Sequence, residues 1–214
     1  TTGACLSVIS QTKADNMFQI TPSASAAKVI ANDNCFQVCF TDPNQGTASA
    51  DYIASKGLAT KVAVIYNSSD AYSSGIYDNF KAEAAAKGLD LVASEAFTGD
   101  GKQDFSSQLS KIKASGAELI FLPIYYQEAS LILSQAKNAG ITAKFFGCDG
   151  LDGLLNIENF DKSLAENVML LTPFAANATD ETTKKFVAAY NAQYDPSTLN
   201  QFAADAYDDV YVVT

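Results

Sequence analysis

The chain has 214 residues, with 24 acids against 14 lysines, no arginine and no histidine, for a formal charge of -10. Without imidazole it cannot build a Ser-His-Asp or Cys-His nucleophile system, a His-bearing zinc site or a two-His iron site. With sparse lysines outnumbered by acids, it is a poor match for a phosphate backbone, so no nucleic-acid partner is expected. At 48% hydrophobic and 18% charged, the composition is that of a folded domain or two small ones.

In chain order, an apolar strand ending Phe18-Gln19-Ile20 leads into a Thr-Pro-Ser turn. A strand over Cys35 to Phe40 and a helix near Thr47 to Lys56 follow. From Lys61 the pattern alternates strand and helix. Lys61 to Tyr66 (KVAVIY) is a continuous apolar run of the kind buried on both faces of a parallel sheet. A helix from about Ser73 to Lys87 ends at Gly88, which supplies a left-handed stop. Leu89 to Phe97 is the next strand, and Asp104 to Ser115 a helix with Phe105, Leu109 and Ile112 on one face. Glu118 to Pro123 forms a strand and Gln127 to Ala139 a helix with Ala129, Ile132, Leu133 and Ala136 in one stripe; Ala143 to Cys148 is a further strand. A strand at Val168 to Pro173, a helix from Asp180 to Tyr194 and a terminal helix from Gln201 complete an α/β chain with doubly wound parallel sheets. In the terminal helix, Asp205, Asp208 and Asp209 read as the solvated face, and Phe202, Ala206, Val210 and Val213 as the other. Both ends of the chain read as cut.

The four cysteines form no CxxC pair. In a strand Cys35 and Cys39 would stand roughly 13 Å apart, too far to bridge. They read as buried thiols, with a disulfide at Cys5 as the alternative. No cofactor loop or metal-ligand set is present in the pattern, so no cofactor is expected.

Ligands of open parallel sheets bind beyond the carboxyl ends of strands. There the sequence places Tyr72 after the strand 61–66, Tyr125 and Tyr126 after 118–123, Asp149 between Gly147 and Gly150 after 143–148, and Ser23 and Ser25 after Ile20. Singly, each has an ordinary reading: the serines as turn or N-cap residues, the tyrosines as half-buried packing, Asp149 as a turn aspartate. Together they suit a small zwitterion with an apolar side chain. A carboxylate pairs with an ammonium, hydroxyls and turn amides receive a carboxylate without arginine, and phenol rings supply apolar walls.

The stretches FQVCFTDPNQG (36–46), KVAVIYNSSDAYSSG (61–75), DFSSQLSKIK (104–113), LIFLPIYYQEASLILSQAK (119–137) and FGCDG (146–150) resemble the periplasmic leucine/isoleucine/valine-binding proteins of ABC importers. The resemblance implies a type I solute-binding protein of two α/β lobes closing on an amino acid. The first, incomplete lobe would be 1–41 with 174–214, and the second 42–173. It implies that Thr2, Ser23 and Ser25 meet the α-carboxylate, that Asp149 meets the ammonium, and that Tyr72 and Tyr126 are the second-lobe tyrosines. Asp149 stands where glutamate is common, which shortens the reach by a methylene. An ABC permease as partner, an extracytoplasmic location in the periplasm or as a surface lipoprotein, and no enzymatic activity are implied as well. An incomplete first lobe would expose sheet edge and favour homo-association. The alternative is the same fold as the amino-acid-sensing module of a receptor or regulator.

Overall fold

In the computed structural model, which describes residues 1–99 and 104–214, the chain divides into two compact units. Unit 1 comprises Thr1–Phe40 and Thr172–Thr214, and unit 2 Thr41–Leu171.

Unit 2 carries the doubly wound layer. Its five strands are β3 (Lys61–Asn67), β4 (Asp90–Phe97), β5 (Leu119–Leu122), β6 (Lys144–Gly147) and β7 (Val168–Leu170), in spatial order β4-β3-β5-β6-β7 and all parallel. The strands are apolar on both sides because helices cover both faces. On one face Val62, Val64, Leu119 and Phe121 pack with Ala50 and Ile53 of α2 (Asp42–Ser55) and Ile76 and Phe80 of α3 (Ala71–Ala86). On the other, Ala63, Ile65, Ile120 and Leu122 meet Leu109 and Ile112 of α4 (Ser106–Ser115) and Ala129 and Ile132 of α5 (Tyr126–Asn138). The alternation of partners along each strand is the period of two that a pleated strand imposes.

Helix ends obey local chemistry. The second helix begins at Asp42, five residues ahead of the sequence expectation, because the Thr41 side chain accepts from Asn44 N and Pro43 sits in the first turn. Asp70 caps α3 by accepting from Ser73 N at 3.0 Å. Gly88 and Gly116 take the left-handed conformation at φ 72° and 70°, after α3 and α4 respectively.

Unit 1 has a two-stranded parallel sheet of β1 (Gln19–Thr21) and β2 (Cys35–Gln37). With it go three helices, α1 (Thr2–Ala14), α6 (Glu181–Asn191) and α7 (Gln201–Val213). The sequence does not announce α1: of its residues only Thr2 is buried, so no apolar stripe marks it, and its Thr, Ser, Val and Ile content disfavours helix intrinsically. The reading of α7 is corrected. Asp208 is exposed, but Asp205 and Asp209 are buried together with Gln201 in a stripe at every fourth residue, while Val210 and Val213 are exposed.

Candidate functional site

The order in which strands are added to the unit 2 sheet reverses between β3 and β5, the topological switch point beyond whose strand ends open α/β sheets bind ligands. Tyr72 follows β3 on the first turn of α3, Tyr125 follows β5, and Asp149 follows β6 in a short 3-10 turn, Asp149–Leu151. The fold brings these three together. The Tyr72 hydroxyl donates to Asp149 Oδ1 at 2.6 Å and accepts from Gly150 N at 2.9 Å. The Tyr125 ring stacks on Tyr72 with centroids 4.8 Å apart and planes 17° from parallel. Both Tyr72 and Asp149 are buried, at 2% and 1% exposure.

The glycines around Asp149 are dictated by contact. A Cβ on Gly150 would stand 2.7 Å from both the Ile124 carbonyl and the Tyr72 hydroxyl, and one on Gly147 would run into the Leu151 side chain. Gln45, on α2, accepts from Asp149 N at 3.2 Å. It is fully buried, and no spacing rule in the sequence singles it out. Tyr126, half-buried on the first turn of α5, lies beside Gly153: a Cβ there would be 3.4 Å from its ring. Tyr126 is therefore set against the segment after Asp149, and it is Tyr125, not Tyr126, that touches Tyr72.

Burial governs the electrostatics. Desolvation raises the Asp149 carboxyl to about 6, against hydrogen bonds from Tyr72, Gln45 and Gly150 that pull it down. The Tyr72 phenol is pushed well up, first by burial and then by the Asp149 charge. Among the described residues the ion pairs involve other groups, and none includes Asp149. The result is a buried carboxyl with no ion pair among the described residues, which holds its proton more tightly than an exposed one.

In unit 1 the residues converge differently. Thr2 is the first residue of α1, and its Oγ1 accepts from Ser25 N at 3.2 Å. Thr2 and Ser25 are both buried, and the Ser25 hydroxyl has no hydrogen-bond partner among the described residues. Ser23 is half-buried in a turn closed by Thr21, whose Oγ1 accepts from Ser23 N and Ala24 N at 3.2 and 3.0 Å. The first-turn amides of α1 have no partners inside the helix, and nothing lies within 4 Å of where a Gly3 side chain would begin. Hydroxyls beside a helix N-terminus are a chemistry suited to an anionic group.

A parallel sheet covered by helices on both faces, with a buried carboxyl beyond its switch point, is an α/β architecture of the kind whose ligand sites lie at strand ends. The chain belongs to the periplasmic binding protein family, whose match runs over residues 1–214. It is 30% identical over 210 residues to a Leu/Ile/Val-binding protein homologue of Brucella melitensis, covering 95% of this chain and 56% of that protein. It is 28% identical to the leucine-, isoleucine-, valine-, threonine- and alanine-binding protein of Pseudomonas aeruginosa, covering 93% and 52%. Among solved structures it is similar to LivJ of Streptococcus pneumoniae in complex with isoleucine, at TM-score 0.88 and 29% identity, over 99% of this chain and 60% of that one. It is also similar to the leucine-binding protein LivK of Thermotoga maritima, at TM-score 0.85 and 27% identity, over 98% and 59%. The chain thus spans a little over half the length of the relatives it matches.

Proposed function

We propose that this chain is the amino-acid-binding part of an extracytoplasmic substrate-binding protein that serves an ABC importer, with an apolar, branched-chain amino acid as ligand. Relatives named for leucine, isoleucine and valine support the ligand class. The observation that carries the reading is the buried Asp149, fixed by the Tyr72 hydroxyl and in no ion pair among the described residues. An ammonium is the charge such a carboxyl lacks, and burial makes the pair worth more than it would be in water.

Unit 1 is proposed as the first lobe and unit 2 as the second. Asp149 receives the ammonium. Tyr72 holds Asp149 in place, and Tyr125 with Tyr126 lines the path of the side chain. Thr2, Ser23, Ser25 and the α1 amides receive the α-carboxylate, the task an arginine would otherwise perform. A ligand held by both lobes favours the closed state through contacts made only there, and the work is binding and delivery to a permease without covalent chemistry. Homo-association of the chain belongs to the same proposal.

Calorimetric titration of the 214-residue chain with leucine, isoleucine, valine, lysine and glutamate tests it. Heat with the apolar set and none with the charged pair is expected. Asp149→Ala should weaken binding at least tenfold, about 1.4 kcal/mol, and binding within twofold of the unsubstituted chain would remove Asp149 from the site.

A further inference from the structure

The sulfurs of unit 1 are set for a bond of their own. In the β1–β2 ladder Gln19 and Cys35 are paired residues, so their side chains leave the same face of the sheet from Cα atoms about 4.8 Å apart. The Gln19 side chain lies on α1. Its Nε2 donates to Cys5 Sγ at 2.9 Å, and its Oε1 accepts from Thr12, two turns along the same helix, at 2.7 Å. Cys5 therefore overhangs the ladder at the position where Cys35 emerges beside Gln19. Their electrostatic coupling agrees: burial raises the Cys5 thiol and the Cys35 thiol raises it further, while the Gln19 bond lowers it. Cys35 is buried with a 3.7 Å contact to Asn34 Oδ1, whereas Cys5 is half-exposed. Cys39 lies one residue beyond the last ladder-bonded position, Val38, and two beyond the end of β2, whereas Cys35 is the ladder partner of Gln19 itself.

We propose that Cys5 and Cys35 form a disulfide that ties α1 to β2 under oxidising conditions. The oxidant is a low-molecular-weight disulfide. The Cys5 thiolate, reachable and steadied by the Gln19 amide, attacks one sulfur of the oxidant, forming a mixed disulfide and releasing the first small thiol. The Cys35 thiolate then attacks Cys5 Sγ, closing the protein bond and releasing the second small thiol. Two protein thiols are oxidised, and one oxidant disulfide is reduced to two thiols. The bridge closes a loop of about 30 residues and constrains the unfolded chain.

The test incubates the 214-residue chain with oxidised glutathione, alkylates the remaining thiols, and maps the non-reduced protein by mass spectrometry. Cleavage after lysine isolates the segment ending at Lys13, and cleavage after Phe36 separates Cys35 from Cys39. A peptide joining Cys5 to Cys35, with Cys39 and Cys148 alkylated, is the expected result. Oxidation should then raise Tm by roughly 5–10 °C, a gain that Cys5→Ser abolishes and Cys39→Ser preserves. Alkylation of both Cys5 and Cys35, glutathione retained on Cys5, or a link from Cys5 to Cys39 would each overturn the assignment.

Discussion

In the proposed function, Asp149 couples stability to binding. Its carboxyl titrates at about 6 in the folded chain, against an ordinary value of 3.8. Between those two values the folded state holds a proton that the unfolded state has lost. The contribution of Asp149 to stability is therefore greatest below about pH 4 and declines as pH rises through about 6, by on the order of 3 kcal/mol. Asp149→Asn, which keeps an acceptor for the Tyr72 hydroxyl, should be more stable than the unsubstituted chain at pH 7.5. The gap should close toward pH 4, as thermal unfolding across that range would show. An ammonium beside Asp149 reverses the preference and drives the proton off, so ligand affinity should fall as pH drops through 6. Titration at pH 5 and pH 7.5 in buffers of different ionisation enthalpy checks this. A proton released on binding at pH 5 and little at 7.5 is the expected result.

At the scale of elements, the pair α2 and α3 depends on contact closer than any side chain permits. A Cβ on Gly46 would stand 2.5 Å from the Ile76 carbonyl and 2.7 Å from Phe80 N, both backbone atoms of the facing helix. Gly46→Ala gains up to about 1 kcal/mol in helix propensity but forces the helices apart, a net loss of about 2 kcal/mol. A fall in Tm of several degrees is expected. The same exchange at Gly3 in α1 meets nothing within 4 Å and should be neutral or slightly stabilising, so the two variants in one melting experiment separate propensity from packing. The unit 2 elements were legible because each carries its own period. Val62 to Ile65 of KVAVIY are apolar and buried at every position, and Ala129, Ile132, Leu133 and Ala136 mark one stripe of α5. Neither α1 nor the buried face of α7 carries such a signal. Asp205 and Asp209 sit at helical spacing with Gln201, and a polar stripe reads as solvated unless the fold covers it.

At the scale of the molecule, apolar burial is uneven. Unit 2 holds two extensive clusters, one on each sheet face, whereas in unit 1 Ala24, Ala26 and Val29 form a small cluster with Cys5 and Leu6 packed against it. Residues 41–171 expressed alone should therefore fold with a single cooperative transition. In the full chain, amides of β1 and β2 should exchange with deuterium sooner than those of β3 and β5. Exchange of the two sheets at equal rates would contradict this ranking.

The sequence by itself determined the α/β class, the alternation of elements from Lys61 onward, and the strand-end positions of Tyr72 and Asp149, since hydrophobic period and glycine stops act over a few residues. Only the tertiary structure decided that Tyr72 and Asp149, 77 positions apart, share a hydrogen bond, and that Tyr125 and not Tyr126 stacks on that tyrosine. It also decided that Gln45 reaches Asp149 from another helix and that Gln19 carries Cys5 to the side of Cys35. Such contacts depend on strand order and helix docking, which arise from the summed packing of the whole sheet and leave no periodic trace in the residues that make them.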